Sequence, residues 1–202
     1  MRERKVVKIR CVKPEIRILG IDDGGFQPHT KGMVDVVGVV FRGGCWLDGV
    51  MRTEVEIDGM DATEKLASMI MDSPHYDQLR VVVLNGVTLG GFNVVDLKKL
   101  FDKTGLPVIA VAREKPDLEE IRNALENLPE SGKRWETIGN AGRLIEVQTR
   151  SAEERIYVQI VGVSEETAKR ILKKTSTRSN VPEALRVAHI IASGLTRFEE
   201  KI

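Results

Sequence analysis

Two continuous apolar runs, separated by one amphipathic segment, constrain the fold of this chain more than any other feature. The runs are LRVVVLNG, residues 79–86, and LPVIAVA, residues 106–112. Fully apolar runs of this length are typical of strands buried on both faces of a parallel sheet. Between them, NVVDLKKLFDKTG places Val94, Leu97 and Phe101 on one helical face and stops at a glycine. This order predicts a right-handed βαβ unit with two parallel strands.

The segments that precede this unit are predicted to form three antiparallel strands. EIRILGID ends at Asp22, MVDVVGVVF is apolar and β-branched, and CWLDGVMRTEVEID alternates apolar with polar residues. The RGG at residues 42–44 suits a hairpin turn between the second and third of these strands. We therefore predict an α/β fold whose mixed sheet begins with an antiparallel three-strand meander and continues with parallel strands.

The second half of the chain is predicted to add helices and a hairpin. DLEEIRNALENL, SEETAKRILKK and NVPEALRVAHIIASGL have helical apolar spacing, while GRLIEVQT and RIYVQIVGV are extended. An earlier helix starts in DATEKLASMIMD, where Asp61 and Glu64 resemble a capping box. His189 lies beside the apolar stripe of the last helix and is interpreted as a semi-buried structural histidine.

Three of the predicted strands end in polar residues that should meet at one edge of the sheet. The third strand of a meander points the same way as the first, and the later parallel strands share that direction. Asp22, Asp58 and Asn85 end strands one, three and four. Because open α/β sheets bind ligands at the carboxyl ends of their strands, these residues are the candidate site.

The bulk composition is that of a soluble globular domain. The 202 residues are 42% hydrophobic with a formal net charge of +1, and no internal repeat or linker divides them. We expect a single domain over residues 1–202. No apolar run approaches the roughly 20 residues of a membrane span, and the basic N-terminus lacks an apolar signal core. These observations predict a cytoplasmic protein without a membrane partner.

Basic residues cluster in two places that can contact phosphates. Residues 1–17 contain seven lysines and arginines against two glutamates, and KRILKKTSTR carries Lys174 and Arg178. Such clusters bind the backbone of DNA or RNA, although solvated faces have the same composition. Gly86 opens the glycine-rich GVTLGGFN before a helix, where backbone amides can hold a phosphate and tight turns are the alternative.

Five stretches carry a resemblance that covers nearly the whole chain. They are LGIDDGGF, EIDGMDATEKLASMI, VVLNGVTLGGFNVVDLKKLF, PVIAVAREKPD and TRSNVPEALRVAHIIA. The chain resembles a largely archaeal family, domain-of-unknown-function family ninety-nine. That family is in turn similar to endonuclease V, a ribonuclease H-like nuclease that acts at deaminated bases. The resemblance implies a ribonuclease H-like fold with helices on both faces of the sheet.

The resemblance also implies which residues form the site. Endonuclease V holds magnesium with an aspartate after the first strand, a glutamate after the third and an aspartate after the fourth. These positions fall on Asp22, on Asp58 with Asp61 as the alternative, and on Asn85. Its late histidine falls near Thr177. Asparagine in place of the third carboxylate removes one negative charge from the site.

The implied activity is phosphodiester hydrolysis of DNA or RNA that depends on Mg²⁺ or Mn²⁺. One ion is expected on Asp22 and Asp58, with Asn85 assisting. Successive strand residues point to opposite faces, so only one of the two adjacent acids should reach the site. Asp22 matches the family position, and Asp23 is the alternative. Asp61 has a structural explanation as a helix cap, which makes Asp58 the better ligand candidate.

Two other functions stay open at this point. A nucleic-acid-binding protein without catalysis is favoured by Asn85 and by the missing late histidine. A nucleotide-binding protein is the third class, because GIDDGG before a hairpin is similar to the first phosphate loop of actin-like sugar kinases. Those enzymes use a second such loop, and this chain has no second copy.

Overall fold

The computed structural model describes residues 9, 11–28, 30–151 and 153–195. Most of the N-terminal basic cluster, residues 1–17, therefore lies outside the described residues. The described part contains a seven-stranded sheet, a two-stranded ribbon and flanking helices. The strands are β1 (Arg17–Asp23), β2 (Met33–Arg42), β3 (Trp46–Glu56), β4 (Val81–Asn85), β5 (Thr88–Leu89), β6 (Asn93–Val94), β7 (Val108–Ala112), β8 (Ile145–Val147) and β9 (Ile156–Val161). The helices are α1 (Ala62–Met71), α2 (Leu97–Thr104), α3 (Leu118–Leu125), α4 (Ser131–Asn140), α5 (Glu165–Thr175) and α6 (Glu183–Leu195).

The large sheet has the strand order β3-β2-β1-β4-β7-β9-β8. β1 and β3 each pair antiparallel with β2, which confirms the predicted meander. β4 pairs parallel with both β1 and β7, which confirms the predicted parallel strands. β9 returns antiparallel to β7, and β8 forms a hairpin with it, as the sequence indicated. Since β1, β4 and β7 are parallel, their carboxyl ends share one edge of the sheet.

Helices cover both faces of the sheet, as predicted. α5 and α6 pack on the face that includes Ile18, Val37 and Val83. α1 and α2 pack on the opposite face, against neighbours such as Leu19 and Ile21. The alternation of side chains along β1 therefore divides the core into two layers. No helix in the described part of the chain is long and apolar enough to cross a membrane.

The close approach of α6 to β1 depends on one glycine. A Cβ added at Gly20 would lie 2.3 Å from the carbonyl carbon of Ala184. Ala184, Ala188 and Ala192 are all buried on the α6 side that meets the sheet. Small residues on both elements let the helix lie directly on the strand, and this contact brings α6 close to the end of β1.

Two features differ from the sequence-based expectation. α4 was not predicted, because Gly132 and Gly139 lower the helix propensity of its sequence. Asp61 occupies the N-cap position of α1, as predicted, but its side chain does not make the capping hydrogen bond. Instead Asn93 Oδ1 accepts a hydrogen bond from the Ala62 amide at 3.0 Å. Asn93 Nδ2 donates to Asp61 Oδ1 at 2.6 Å, so the asparagine satisfies the helix start in place of the aspartate.

Candidate active site

Asp22 lies at the carboxyl end of β1 with a side chain that is only 2% exposed. Its Oδ1 accepts hydrogen bonds from Asn85 Nδ2 and from the Asp23 amide, both at 3.0 Å. Asn85 is the last residue of β4, so two parallel neighbouring strands present these side chains together. Asp22 and Asn85 therefore meet at this edge of the sheet, as predicted.

The second oxygen of Asp22 meets a histidine from α6. Nδ1 of His189 lies 2.9 Å from Asp22 Oδ2, while the histidine side chain is 54% exposed. A neutral imidazole that donates from Nδ1 to a carboxylate keeps Nε2 as its acceptor. The pair thus joins a buried carboxylate to a ring that can reach solvent and bound molecules.

Asp23 points to the other face of the sheet, as strand alternation predicted. Its Oδ2 accepts a hydrogen bond from the Gly90 amide at 2.7 Å. Burial raises the pKa of Asp23 to about 6; the Gly90 hydrogen bond opposes this shift and the charge of Asp22 adds to it. Two adjacent carboxylates with no lysine or arginine beside them in the described part of the chain are costly to ionise together.

Asp58 follows β3 and, like Asp23, hydrogen-bonds to Gly90. The Asp58 amide donates to the Gly90 carbonyl at 2.8 Å, and its Oδ1 accepts from the Phe92 amide at 2.8 Å. The Gly90 residue therefore links Asp23 and Asp58 through its N–H and its C=O. No hydrogen bond within the described residues joins Asp58 to Asp22, so the structure does not bring this predicted pair of metal ligands into contact.

A buried arginine holds the loop that carries Asp58. Arg134, on α4, is 2% exposed and has no carboxylate partner among the described residues. Its guanidinium donates to the carbonyls of Gly59 at 2.8 Å, Asp58 at 2.6 Å and Pro129 at 3.0 Å, and also to that of Phe92. Asp58 has a left-handed φ of 51°. By donating to these four carbonyls, the guanidinium holds the loop at residues 58–59 next to the backbone of Phe92.

The predicted nucleic-acid contacts have other partners in the structure. The Gly86 amide donates to the Val111 carbonyl at 2.8 Å, so it extends the sheet rather than facing a ligand. Lys174 Nζ donates to the Val12 carbonyl at 3.0 Å. Arg178 pairs at 3.2 Å with the buried carboxylate of Glu183. Burial opposes ionisation of Glu183, but Arg186 and Arg178 outweigh it and hold its pKa below the usual value.

Asp22 and Asn85 are the residues at this edge that could offer oxygen ligands to a divalent ion. No group of three or more His, Cys, Asp and Glu side chains in the described residues is arranged to hold a metal. Mg²⁺ in a phosphate-processing site is commonly bound by one or two carboxylates, and water and substrate phosphate complete its shell. Asp22 supplies the carboxylate, and a half-turn of the Asn85 amide presents its oxygen. Two-metal chemistry needs further carboxylates that flank both ions, and Asn85 removes one of them.

The sequence did not indicate roles in the site for His189, which was interpreted as a structural histidine, or for Arg134. The resemblance placed the late histidine near Thr177, whereas His189 lies on the second turn of α6. A signal for it was present: if Ala184 lies over Gly20, five helical residues advance about 7.5 Å and two strand residues about 6.6 Å. His189 and Asp22 then arrive side by side. Nothing in the local pattern around Arg134 indicated its carbonyl partners.

Comparisons with known proteins agree with this fold. A sequence profile of the family described as endonuclease dU matches residues 14–196. A UPF0215 protein of Methanosarcina barkeri is 50% identical over 190 residues, which cover 94% of this chain and 95% of the relative. A crystal structure of a protein of unknown function from Archaeoglobus fulgidus is 36% identical with a TM-score of 0.80, and covers 90% of this chain and 99% of that one.

A more distant structural match is to an enzyme of named activity. Endonuclease V of Ciona intestinalis, solved with a 24mer DNA containing an inosine followed by a ribo-adenosine, has a TM-score of 0.57 and 15% identity. The match covers 86% of this chain and 83% of that one. This likeness shows the fold, a mixed sheet shared with a nuclease. The profile match extends over most of the chain, and the chain therefore belongs to the endonuclease dU family.

Proposed function

We propose that this protein is an endonuclease that cleaves DNA at deoxyuridine or another deaminated base and depends on Mg²⁺ or Mn²⁺. The observation that carries the proposal is the buried Asp22 carboxylate, held between His189 and Asn85 at the carboxyl edge of the sheet. The family description names an endonuclease and dU, the abbreviation of deoxyuridine. Inosine, present in the DNA bound to Ciona endonuclease V, is likewise a deaminated nucleoside.

The residues of the site have separate roles in this proposal. Asp22 and Asn85 would hold the ion, which would supply positive charge to stabilise the phosphodiester and lower the pKa of water at the site. His189 donates from Nδ1 to Asp22, which fixes the carboxylate and the ring relative to each other. Nε2 of His189 is then the acceptor for a proton from water at the reacting phosphate.

Cleavage assays with defined oligonucleotides test the proposal. Labelled DNA duplexes that contain one deoxyuridine, one deoxyinosine or neither, and RNA of matching sequence, are incubated with Mg²⁺, Mn²⁺ or EDTA. We expect metal-dependent cleavage of the deaminated DNA and loss of at least about 100-fold in the Asp22→Asn variant. Asp102→Asn, which neutralises an exposed acid on α2, is the matched control and should cleave like the wild type. Cleavage that persists in Asp22→Asn would contradict the mechanism.

A nucleic-acid-binding protein without catalysis is the second candidate. Asn85 in place of a carboxylate and the lack of a three-residue metal cluster in the described chain favour it. This alternative predicts salt-dependent binding to the same duplexes, with equal affinity in EDTA and in Mg²⁺, and no cleavage with either ion. The cleavage and binding assays together therefore distinguish the two candidates.

A further inference from the structure

A basic groove lies at the β8 edge of the sheet, away from Asp22. It has a volume of about 490 Å³ and runs between β8 and the outer face of α5. The charged residues that line it are Arg155, Lys169, Arg170 and Lys173, together with Glu146 and Glu166. Four of them, at positions 166, 169, 170 and 173, follow helical i, i+3, i+4 and i+7 spacing. One face of α5 therefore presents its charges to the groove, and its other face, with Ala168 and Ile171, is buried.

The groove has an excess of positive charge. Arg155 is paired with Glu146 at 2.9 Å, and Lys169 with Glu165 at 2.7 Å. Arg170 and Lys173, in contrast, have no carboxylate within 4.0 Å in the described part of the chain, and Arg170 contacts only the Thr167 hydroxyl at 3.4 Å. Two cations on one helix face are thus available for an anionic partner.

One residue of the groove, Arg155, lies at the same edge of the sheet as the candidate active site. Ala112, which ends β7, pairs with Tyr157 of β9, and Val147 of β8 pairs with Ile156. Arg155 therefore lies just beyond the carboxyl end of β7, the edge that carries Asp22 on β1 and Asn85 on β4. β8 is four strands from β1 in the sheet, which corresponds to about 19 Å at the usual strand spacing.

We propose that this groove binds the phosphate backbone of the DNA on one side of the cleaved bond. The proposal rests on the proposed function, because it takes the same duplex as the ligand. The excess of positive charge in the groove matches the negative charge of the phosphate backbone. Arg170 and Lys173 make the phosphate contacts, while Lys174 and Arg178 are held by Val12 and Glu183.

The test measures binding without cleavage. A 30-base-pair duplex with one central deoxyuridine is titrated in EDTA at several salt concentrations. The groove variant carries Arg170→Gln and Lys173→Gln. The control carries Lys65→Gln and Lys98→Gln, which remove two exposed cations without an ion pair among the described residues, from helices on the opposite face of the sheet. The two variants have the same net charge, so any difference between them reports on the position of the charges.

The groove variant should lose two phosphate contacts. We expect the slope of log K against log salt to become shallower by about 1.8, and affinity at 100 mM salt to fall on the order of 10- to 100-fold. The control should stay within about twofold of the wild type. Ethylation of single phosphates should interfere with wild-type binding on one side of the deoxyuridine, and the groove variant should lose this interference.

Failure of the groove proposal is distinct from failure of the proposed function. Equal binding and equal salt slopes for the two variants would overturn the groove, whether or not the wild type cleaves the duplex. A groove-dependent slope with no cleavage in Mg²⁺ or Mn²⁺ would support the groove and contradict the nuclease. Melting temperatures of both variants, expected within about 2 °C of the wild type, establish that they are folded.

Discussion

Nδ1 of His189 lies 2.9 Å from Oδ2 of Asp22, although the two residues are 167 positions apart in the chain. The contact completes the hydrogen bonding of a carboxylate whose other oxygen already accepts from Asn85 and from the Asp23 amide. Asp22 is buried and His189 is half exposed, so the histidine is the member of the pair that reaches solvent. The pair connects the end of β1 to α6.

Replacement of His189 by alanine should therefore reduce cleavage more than it reduces stability. Loss of a hydrogen-bond partner that orients a metal-binding carboxylate typically lowers activity 10- to 100-fold. We expect a decrease of this size in kcat for the deoxyuridine duplex, with a melting temperature close to that of the wild type. Ile190→Ala is the matched control, because Ile190 is also exposed on the same helix turn. Wild-type kcat in His189→Ala would show that the contact has no catalytic role.

Much of the sheet could be predicted because buried strands have recognisable apolar patterns in the sequence. Residues 81–84 of β4 are entirely buried, and their continuous apolar run is the pattern that indicated a central parallel strand. α4 has no such pattern, because its two glycines disfavour a helix and its packing depends on the contacts of Arg134. β5 and β6 have two residues each, which is too short for any periodic pattern.

The candidate site was predictable only where it depends on strand ends. Asp22 and Asn85 meet because parallel neighbouring strands end together, and this follows from topology alone. His189 depends on how far α6 has advanced along β1, which is set by the Gly20 contact and not by any local pattern. Asp58 was expected beside Asp22, but its amide and carboxylate bind the loop at residues 90–92 instead.

Substitution of Gly20 by alanine should separate α6 from β1. The added methyl group would lie 2.3 to 2.5 Å from the Ala184 and Leu185 backbone, so the helix must move away. We expect the free energy of unfolding to fall by about 3 kcal/mol and the Asp22–His189 contact to lengthen, with loss of cleavage. Gly194→Ala on the same helix is the control: apart from the local backbone, no atom of the described residues lies within 4 Å of its added Cβ, so it should be neutral or stabilising. Urea unfolding of both variants provides the comparison.

Neutralising Asp23 should stabilise the metal-free protein in a pH-dependent manner. The pKa of Asp23 is raised from 3.8 to about 6, so the folded state binds more protons than the unfolded state between these values. Its contribution to stability is present at low pH and is lost as the pH rises through 6. Asp23→Asn removes this loss and should add on the order of 1 to 3 kcal/mol at pH 8 and little at pH 4.

Urea unfolding in EDTA at both pH values measures this effect. Asp102→Asn, which neutralises an exposed acid on α2, is the control for the loss of one negative charge. The prediction fails if the effect of Asp23→Asn on the unfolding free energy is the same at the two pH values. Mg²⁺ bound near Asp22 would lessen the repulsion between the adjacent acids, so added Mg²⁺ should stabilise the wild type more than Asp23→Asn.

Replacement of Arg134 by methionine should destabilise the loop that carries Asp58. Methionine keeps the buried apolar stem but leaves four carbonyls, including those of Asp58 and Gly59, without their donor. Unpaired buried acceptors and a lost charged donor should together lower the unfolding free energy by about 3 kcal/mol. Lys133→Met is the neighbouring control, because it removes only an exposed ion pair with Glu130 and should cost less than about 1 kcal/mol. If the two variants unfold at the same urea concentration, the guanidinium contacts do not stabilise this loop. Hydrogen exchange should locate the effect, with faster exchange of the Asp58 and Phe92 amides in Arg134→Met, since both donate within the loop that Arg134 holds.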